Sequence, residues 1–376
     1  LIGLGEFFDL LVVGAGPVGC VVAERAANEF GWSVLIVEKR SHVGGNCYDR
    51  YHESGLFIHE YGPHFYRTDS EEQIQYLSRF TEWIPSNHIV KSSVRGNLYP
   101  FPINLDTLEQ FFGRPLTPAS ARRLLDRLRV PIDRPSNSEE IVVSAVGREL
   151  YEAFFLGYTV KQWGMHPMQL DASVCARIPL KLDRDPRYVS ERFQLLPRYG
   201  YTRMFENMIR HDRIKVVLGA DYREVISCIK PPRATVYTGQ LDDYFDFRLG
   251  RLSYRSIRHE YEVKEVPYAQ PCVVINYPND FKYIRSIEYK HTTGQESPNS
   301  IVAYQYSFDG KEPYYPIPSP SNERLADQYR ALADREQVVS RVYFVGRLAE
   351  YRYYNIDQVI DRALAVFLEL AAVKSS

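Results

Sequence analysis

The chain has 376 residues, enough for two or three domains around a large core. Its 46 Lys and Arg nearly balance 47 Asp and Glu, leaving a net charge of −1, so no global field points to nucleic acid or to an anionic membrane. Five cysteines, odd in number and without a C-x-x-C pair, argue against a disulfide frame or a metal site; with no apolar run of membrane-spanning length and no export-signal pattern, they predict a cytoplasmic protein.

The first predicted element is a short apolar strand at residues 10–13, of the kind buried in a parallel sheet. Gly14, Gly16 and Gly19 follow in G-x-G-x-x-G spacing, with Pro17 between them, and open a helix. The first glycine permits a tight turn, the second lets a pyrophosphate approach the backbone, and the third lets helix and strand pack closely. The phosphates then meet unpaired N–H groups at a helix N-terminus. A second strand, 34–37, ends at Glu38, where an acidic side chain binds ribose hydroxyls. A tight βα turn without a ligand is the alternative; the strand–turn–helix–strand context and Glu38 favour a dinucleotide. Residues 39–46 then add Gly44 and Gly45, a second glycine pair that nicotinamide binding does not require, so FAD is favoured over NAD. Cys47, beside that pair, is read as a packed small residue.

Further along, residues 55–59 read as a strand and 60–68 as a Gly/Pro-punctuated loop that returns to the flavin with His64 beside the ring. His59 and His64 lack a third ligand at a spacing that suits a metal. Helical periodicity marks 71–80, 105–112, 118–128 and 139–155, with a hairpin or extended pair at 86–102. Gly157 to Gly164, GYTVKQWG, leads into a long proline-punctuated stretch, 165–197, whose length and weak patterning suit a mobile lid. A helix at 202–209 and strands at 214–218 and 234–238 follow. Strand-like runs at 262–266, 272–277, 283–289 and 301–306 suggest an antiparallel sheet containing Arg285. A strand at 342–345, a Gly346-Arg347 turn and a helix at 358–370 end the chain, with Arg347 placed for the FAD pyrophosphate.

The expected architecture is therefore α/β: a discontinuous Rossmann-like FAD-binding domain (1–70, 205–240 and 335–376), an inserted mostly helical domain (71–170), the loop 165–197, and an antiparallel sheet domain (241–330).

The segments VVGAGPVG, EKRSHVGGNCY, IHEYGPHFYRT, GYTVKQWG, ARIP, EPYYPI and VGRLAEYRYYNID, in that order, resemble the UDP-galactopyranose mutase family over nearly the whole chain. The resemblance implies reversible ring contraction of UDP-galactopyranose to UDP-galactofuranose without net redox change. Non-covalent FAD acts in its reduced form, N5 attacks the anomeric carbon and a flavin–galactose iminium follows. It also implies an external flavin reductant and a homodimer, with neither nucleic acid nor a membrane span. Arg177 and Arg285 correspond to the arginines that hold the substrate pyrophosphate, a role suited to forked guanidiniums, and with His64 they are the expected catalytic residues. Phe154, Tyr158, Thr159 and Trp163 correspond to the wall around the uridine, and Tyr188, Tyr315 and Tyr353 to tyrosines at the diphosphate. To Gly14, Gly16, Pro17, Gly19 and Glu38 the resemblance adds Lys39, Gly45, Asn46, His59, Gly62 and His64 as cofactor residues. Near the C-terminus it adds Gly346, Arg347, Tyr353, Asn355, Ile356 and Asp357. Three positions depart from the pattern: Asn355 stands where Asp is frequent, Val189 where Phe is, and His88, a sugar contact, where Asn is. A single dinucleotide fingerprint leaves no nicotinamide domain. An amine-oxidase-type enzyme shares that feature but not the paired arginines or GYTVKQWG, and a UDP-sugar sensor remains the non-enzymatic alternative.

Overall fold

The structure, a computed structural model, describes residue 3 and residues 5–374. A five-stranded, all-parallel sheet runs in the order Ile214–Leu218, Val34–Glu38, Leu10–Val13, Ala234–Tyr237, Val342–Phe344. Alternation of side chains along Leu10–Val13 explains its central place. Leu10 and Val12 pack under the helices Pro17–Arg25, Tyr201–Met208 and Ile356–Lys374, while Leu11 and Val13 pack on the other face with Leu35, Val37 and Val225. A strand buried on both faces reads as a continuous apolar run, as this one does.

The second sheet has seven strands in the order Tyr315–Pro316, Tyr254–Lys264, Ser300–Phe308, Arg285–Glu288, Val274–Asn276, Val90–Val94, Asn97–Phe101. The hairpin expected at 86–102 thus forms two of its strands, and Val274–Asn276 pairs parallel to Val90–Val94 while the remaining pairs are antiparallel. Helices Leu105–Phe112, Pro118–Leu128 and Ser138–Val146 share one apolar core with this sheet. Asn104, Thr117 and Asn137 cap them, each accepting a backbone N–H with its side chain.

The structure corrects the sequence reading at one place, the stretch 165–197, and adds helices at two others. GYTVKQW is helical: the helix begun at Arg148–Tyr151 passes through a π-turn, Glu152–Leu156, into Gly157–Trp163. The stretch 165–197 ends in a strand, Phe193–Pro197, that is the middle of a three-stranded sheet with Tyr66–Thr68 and Trp83–Pro85. A 21-residue helix, Pro320–Ser340, fills a span to which the sequence reading assigned no element.

Gly157 lets the helix lie against the 277–283 loop. A Cβ there would stand 2.3 Å from the Pro278 carbonyl oxygen and 2.9 Å from Asn279 Oδ1. Gly157→Ala is expected to destabilise the protein by about 1–3 kcal/mol through overpacking. A thermal denaturation midpoint lowered by a few degrees supports this contact; an unchanged midpoint overturns it.

Candidate active site

The glycine turn is built by backbone approach. Gly14 adopts φ +107°, and a Cβ there would stand 2.1 Å from Thr238 Oγ1; one on Gly19 would stand 1.9 Å from the Gly14 carbonyl oxygen. The helix Pro17–Arg25 starts at Gly16 without a side-chain cap, leaving its first-turn N–H groups free for an anion. The second glycine pair lies directly on the first turn. Gly44 N–H donates to the Ala15 carbonyl (2.8 Å), and a Cβ on Gly45 would stand 2.9 Å from Gly16 Cα. A cleft opens above these turns, lined by Gly14, Gly16, Pro17, Glu38, Lys39 and Gly45 and continuing past Asn46 and His64 to Gly346, Arg347 and Ile356. Such a glycine-walled cradle at a helix N-terminus fits a dinucleotide pyrophosphate. The Glu38 carboxylate lines this cleft and accepts N–H bonds from Ala15 and Arg40, both 2.8 Å.

His64 Nδ1 donates to the Gly62 carbonyl (2.8 Å), which leaves Nε2 as an acceptor. Burial, with Arg347 nearby, pushes its pKa down to about 4, so the ring is neutral. The Cys47 thiol also lines the cleft, and burial pushes it up to about 12, so it stays protonated.

Beside the cleft stands a group of guanidiniums and aromatic rings. Arg177 lies 4.1 Å from the Tyr353 ring centroid; Arg347 lies 5.0 Å from the same ring and 5.3 Å from that of Tyr315. Tyr315 and Tyr353 stack at 5.4 Å, with Trp163 edge-on to both. Arg285 donates to the Tyr158 hydroxyl and, at 3.5 Å, to Gln162 Oε1. His88 stacks on Phe65 at 4.0 Å and tilts toward Tyr188 at 5.0 Å; its Nε2 is buried without a partner. Burial first, then Arg285 and Arg67, push its pKa down to about 3.

A family model described as UDP-galactopyranose mutase matches residues 153–353, and one described as an NAD(P)-binding Rossmann-like domain matches residues 12–80. A probable UDP-galactopyranose mutase of Klebsiella pneumoniae is 38% identical over 95% of this chain and 93% of its own length. The chain belongs to the UDP-galactopyranose mutase family. A dTDP-fucopyranose mutase of Escherichia coli is 34% identical over 94% of this chain and 96% of its own. Among solved structures, a reduced UDP-galactopyranose mutase superposes with a TM-score of 0.76 at 14% identity, covering 100% of this chain and 95% of that one. A putrescine oxidase variant gives 0.64 at 13%, covering 98% of this chain and 100% of that one. At such identities these two likenesses speak to the fold, which is shared with flavoenzymes.

Several residues that the resemblance to the mutase family singles out lie away from the cleft or behind its wall. His59 is 3% exposed; its Nδ1 accepts the His64 N–H and its ring stacks on Tyr289, so it supports the loop. Phe154 is packed among Tyr99, Phe101 and Phe111, and Thr159 is buried with its hydroxyl 4.0 Å from Cys175 Sγ. The Asp357 carbonyl accepts from Gln73, and one of its carboxylate oxygens is buried without a partner. Asn355 N–H donates to Gln358 Oε1 at the start of the last helix, and Val189 is buried.

Other residues were missed. Gln162 is four residues from Tyr158, a spacing that puts both on one helix face and was available in the motif itself. Strand register, in contrast, produces a polar row across the sheet: His259 opposite Gln305, Gln305 opposite Arg285, Arg285 opposite Asn276, and Asn276 opposite Ser92. Nothing local in the sequence reports that row.

The Tyr353 phenol is shifted in the opposite sense to the tyrosines around it. Burial raises its pKa, but Arg177, Arg347 and Arg285 outweigh burial and hold it below the usual phenol range; Tyr158, Tyr188 and Tyr315 are raised, burial leading in each. As pH rises from neutral, Tyr353 is thus expected to ionise before these neighbours. A spectrophotometric titration of tyrosinate should show an early step that Tyr353→Phe removes and Arg177→Ala shifts to higher pH. Persistence of the early step in the Phe variant overturns the assignment.

Proposed function

We propose that this chain interconverts UDP-galactopyranose and UDP-galactofuranose with FAD seated along the glycine-walled cleft. The observation that carries the reading is the group of guanidiniums, Arg177, Arg285 and Arg347, that have no carboxylate partner among the described residues and stand beside that cleft. Bound in its reduced form, FAD supplies the nucleophile for the anomeric carbon. The protein's own residues do the rest. Gly14, Gly16 and Gly45 leave room for the cofactor pyrophosphate, and Arg347, on the wall between cleft and clamp, adds a cation there. Arg177 and Arg285 hold the substrate diphosphate and neutralise it as the glycosyl C–O bond opens, with Tyr158, Tyr315 and Tyr353 framing it. Neutral His64, with an unprotonated Nε2, holds a hydroxyl proton by accepting it and does not act as an acid near pH 7. A second reading, on a dTDP-6-deoxysugar, is favoured by the 34% identical dTDP-fucopyranose mutase and uses the same residues. An external reductant for the flavin and a homodimer follow from the family resemblance, and a cytoplasmic location from the cysteine usage.

The test is conversion of UDP-galactofuranose by dithionite-reduced protein, followed by chromatography, with dTDP-fucofuranose in parallel. Conversion of the UDP-sugar only in the reduced state supports the proposal; preference for the dTDP-sugar selects the second reading, and equal rates with oxidised protein overturn both. Arg177→Ala and Arg285→Ala should each lose about 3 kcal/mol of barrier stabilisation, roughly a hundredfold in turnover, while remaining yellow with FAD. Near-normal turnover in either removes that role.

Arg177 lies on the stretch 165–197, which we take to close over the nucleotide and exclude water. Limited proteolysis within 177–192 should slow markedly with saturating UDP. Cleavage at the same rate with and without UDP overturns closure.

A further inference from the structure

Lys161 has no part in the chemistry described so far, yet it occupies a built site. Its ammonium shares three N–H donors among four backbone carbonyls of one loop: Tyr277, Asp280 (2.9 Å), Phe281 (3.2 Å) and Tyr283 (3.5 Å). No carboxylate pairs with it among the described residues. Burial pulls its pKa down to about 8, against a smaller opposing pull from the nearby Asp280 carboxylate. The same loop is tied to the same helix at two further points. Asn279 Nδ2 donates to the Ala153 carbonyl (3.0 Å), and Gly157 admits the Pro278 carbonyl where any side chain would collide.

The two ends of this tether matter for the clamp. The helix Gly157–Trp163 carries Tyr158 and Gln162, both of which accept from Arg285. The loop ends at Tyr283, two residues before Arg285 opens the strand Arg285–Glu288. The helix and the strand therefore meet twice, once through the Lys161 cage and once through the Arg285 guanidinium. Arg177 comes from a separate segment, just after the short helix Ser173–Ala176, and packs on the Tyr353 ring.

We propose that Lys161 is a positioning residue for the diphosphate clamp: by caging the 277–283 carbonyls it sets where Arg285 stands relative to Tyr158 and Gln162. This rests on the reading that Arg285 holds the substrate diphosphate. Loss of the cage should leave the cofactor cleft intact and weaken diphosphate binding through Arg285 alone.

The experiment is a pair of double-mutant cycles on FAD-loaded full-length protein, with UDP affinity read by isothermal titration calorimetry. Lys161→Met should retain FAD and weaken UDP about tenfold. Combined with Arg285→Ala it should add little further loss, whereas with Arg177→Ala the losses should multiply. A general structural effect would multiply in both cycles, and that outcome overturns the proposal, as does unchanged UDP affinity in Lys161→Met. If Lys161→Met does not fold, Asn279→Ala, which cuts the neighbouring tether, should give the same pattern with a smaller loss; a loss that multiplies with both arginine variants overturns it. Should Arg285→Ala itself leave UDP affinity untouched, the clamp reading fails, and that result is separate from any result on Lys161.

Discussion

Desolvated positive charge without a matching carboxylate is the constraint on which this site depends. Among the described residues, Arg177, Arg285 and Arg347 form no ion pair with Asp or Glu, although many exposed arginines do so, as in the Arg184 contacts with Asp106 and Glu109. Aromatic faces, phenol and amide oxygens and backbone carbonyls surround these three guanidiniums instead, and leave Arg285 Nε without a partner. Burying a cation on such partners costs free energy that a carboxylate would offset, and a dianionic ligand restores the balance on binding. Unpartnered polar atoms gather in the same region: Arg285 Nε, Gln305 Nε2 and Ser92 Oγ lie along one row of the sheet, and His88 Nε2 lies nearby. A site left in this condition is suited to a ligand rich in oxygen.

The cofactor side obeys a different constraint, the close approach of backbones. Gly14, Gly19 and Gly45 each stand where a Cβ would collide with another part of the turns, and the Gly44–Ala15 hydrogen bond fixes one turn against the other. Glu38 completes the arrangement by accepting from both segments, so an acidic residue that marks a ribose site in sequence also braces the turn that carries the phosphates.

These two constraints explain what could be read in advance. Backbone crowding excludes every residue but glycine, so it leaves a mark at fixed spacing, and the turns were legible together with the strands around them. The arginines and tyrosines grouped beside the cleft were named in advance by the family resemblance alone. Side chains placed by long-range register were not: His259, Gln305 and Asn276 join Arg285 only when four strands align, and an unremarkable Gln in a strand carries no local signal. Phe154 and Thr159 sit within the quoted region yet are turned into the helical core, a distinction of a single helix face. The helix Pro320–Ser340 escaped notice because it buries little, chiefly Ala326, Tyr329 and Ala333, and its remaining surface is polar. The stretch 165–197 looked irregular throughout because Phe193–Pro197 is held by strands distant in sequence, not by its own alternation.

Cofactor cleft and clamp must also be held in register with each other, and one short segment does this. The strand Val342–Phe344 is fixed in the parallel sheet by pairing with Ala234–Tyr237. Immediately after it Gly346 turns at φ +102°, and Arg347 enters the cleft wall while its guanidinium reaches the Tyr315 and Tyr353 rings and donates to the Tyr354 carbonyl (2.6 Å). Tyr353 then belongs to the clamp, and Ile356, three residues on, lines the cleft again at the start of the last helix. Because the chain crosses from cofactor side to substrate side and back within so few residues, neither half can shift without moving the other. The proposed reaction brings a sugar carbon to a cofactor atom while the diphosphate stays on Arg177 and Arg285, and the Gly346–Ile356 segment supports that proposal by joining the two sides through covalent geometry and not through side-chain contacts alone.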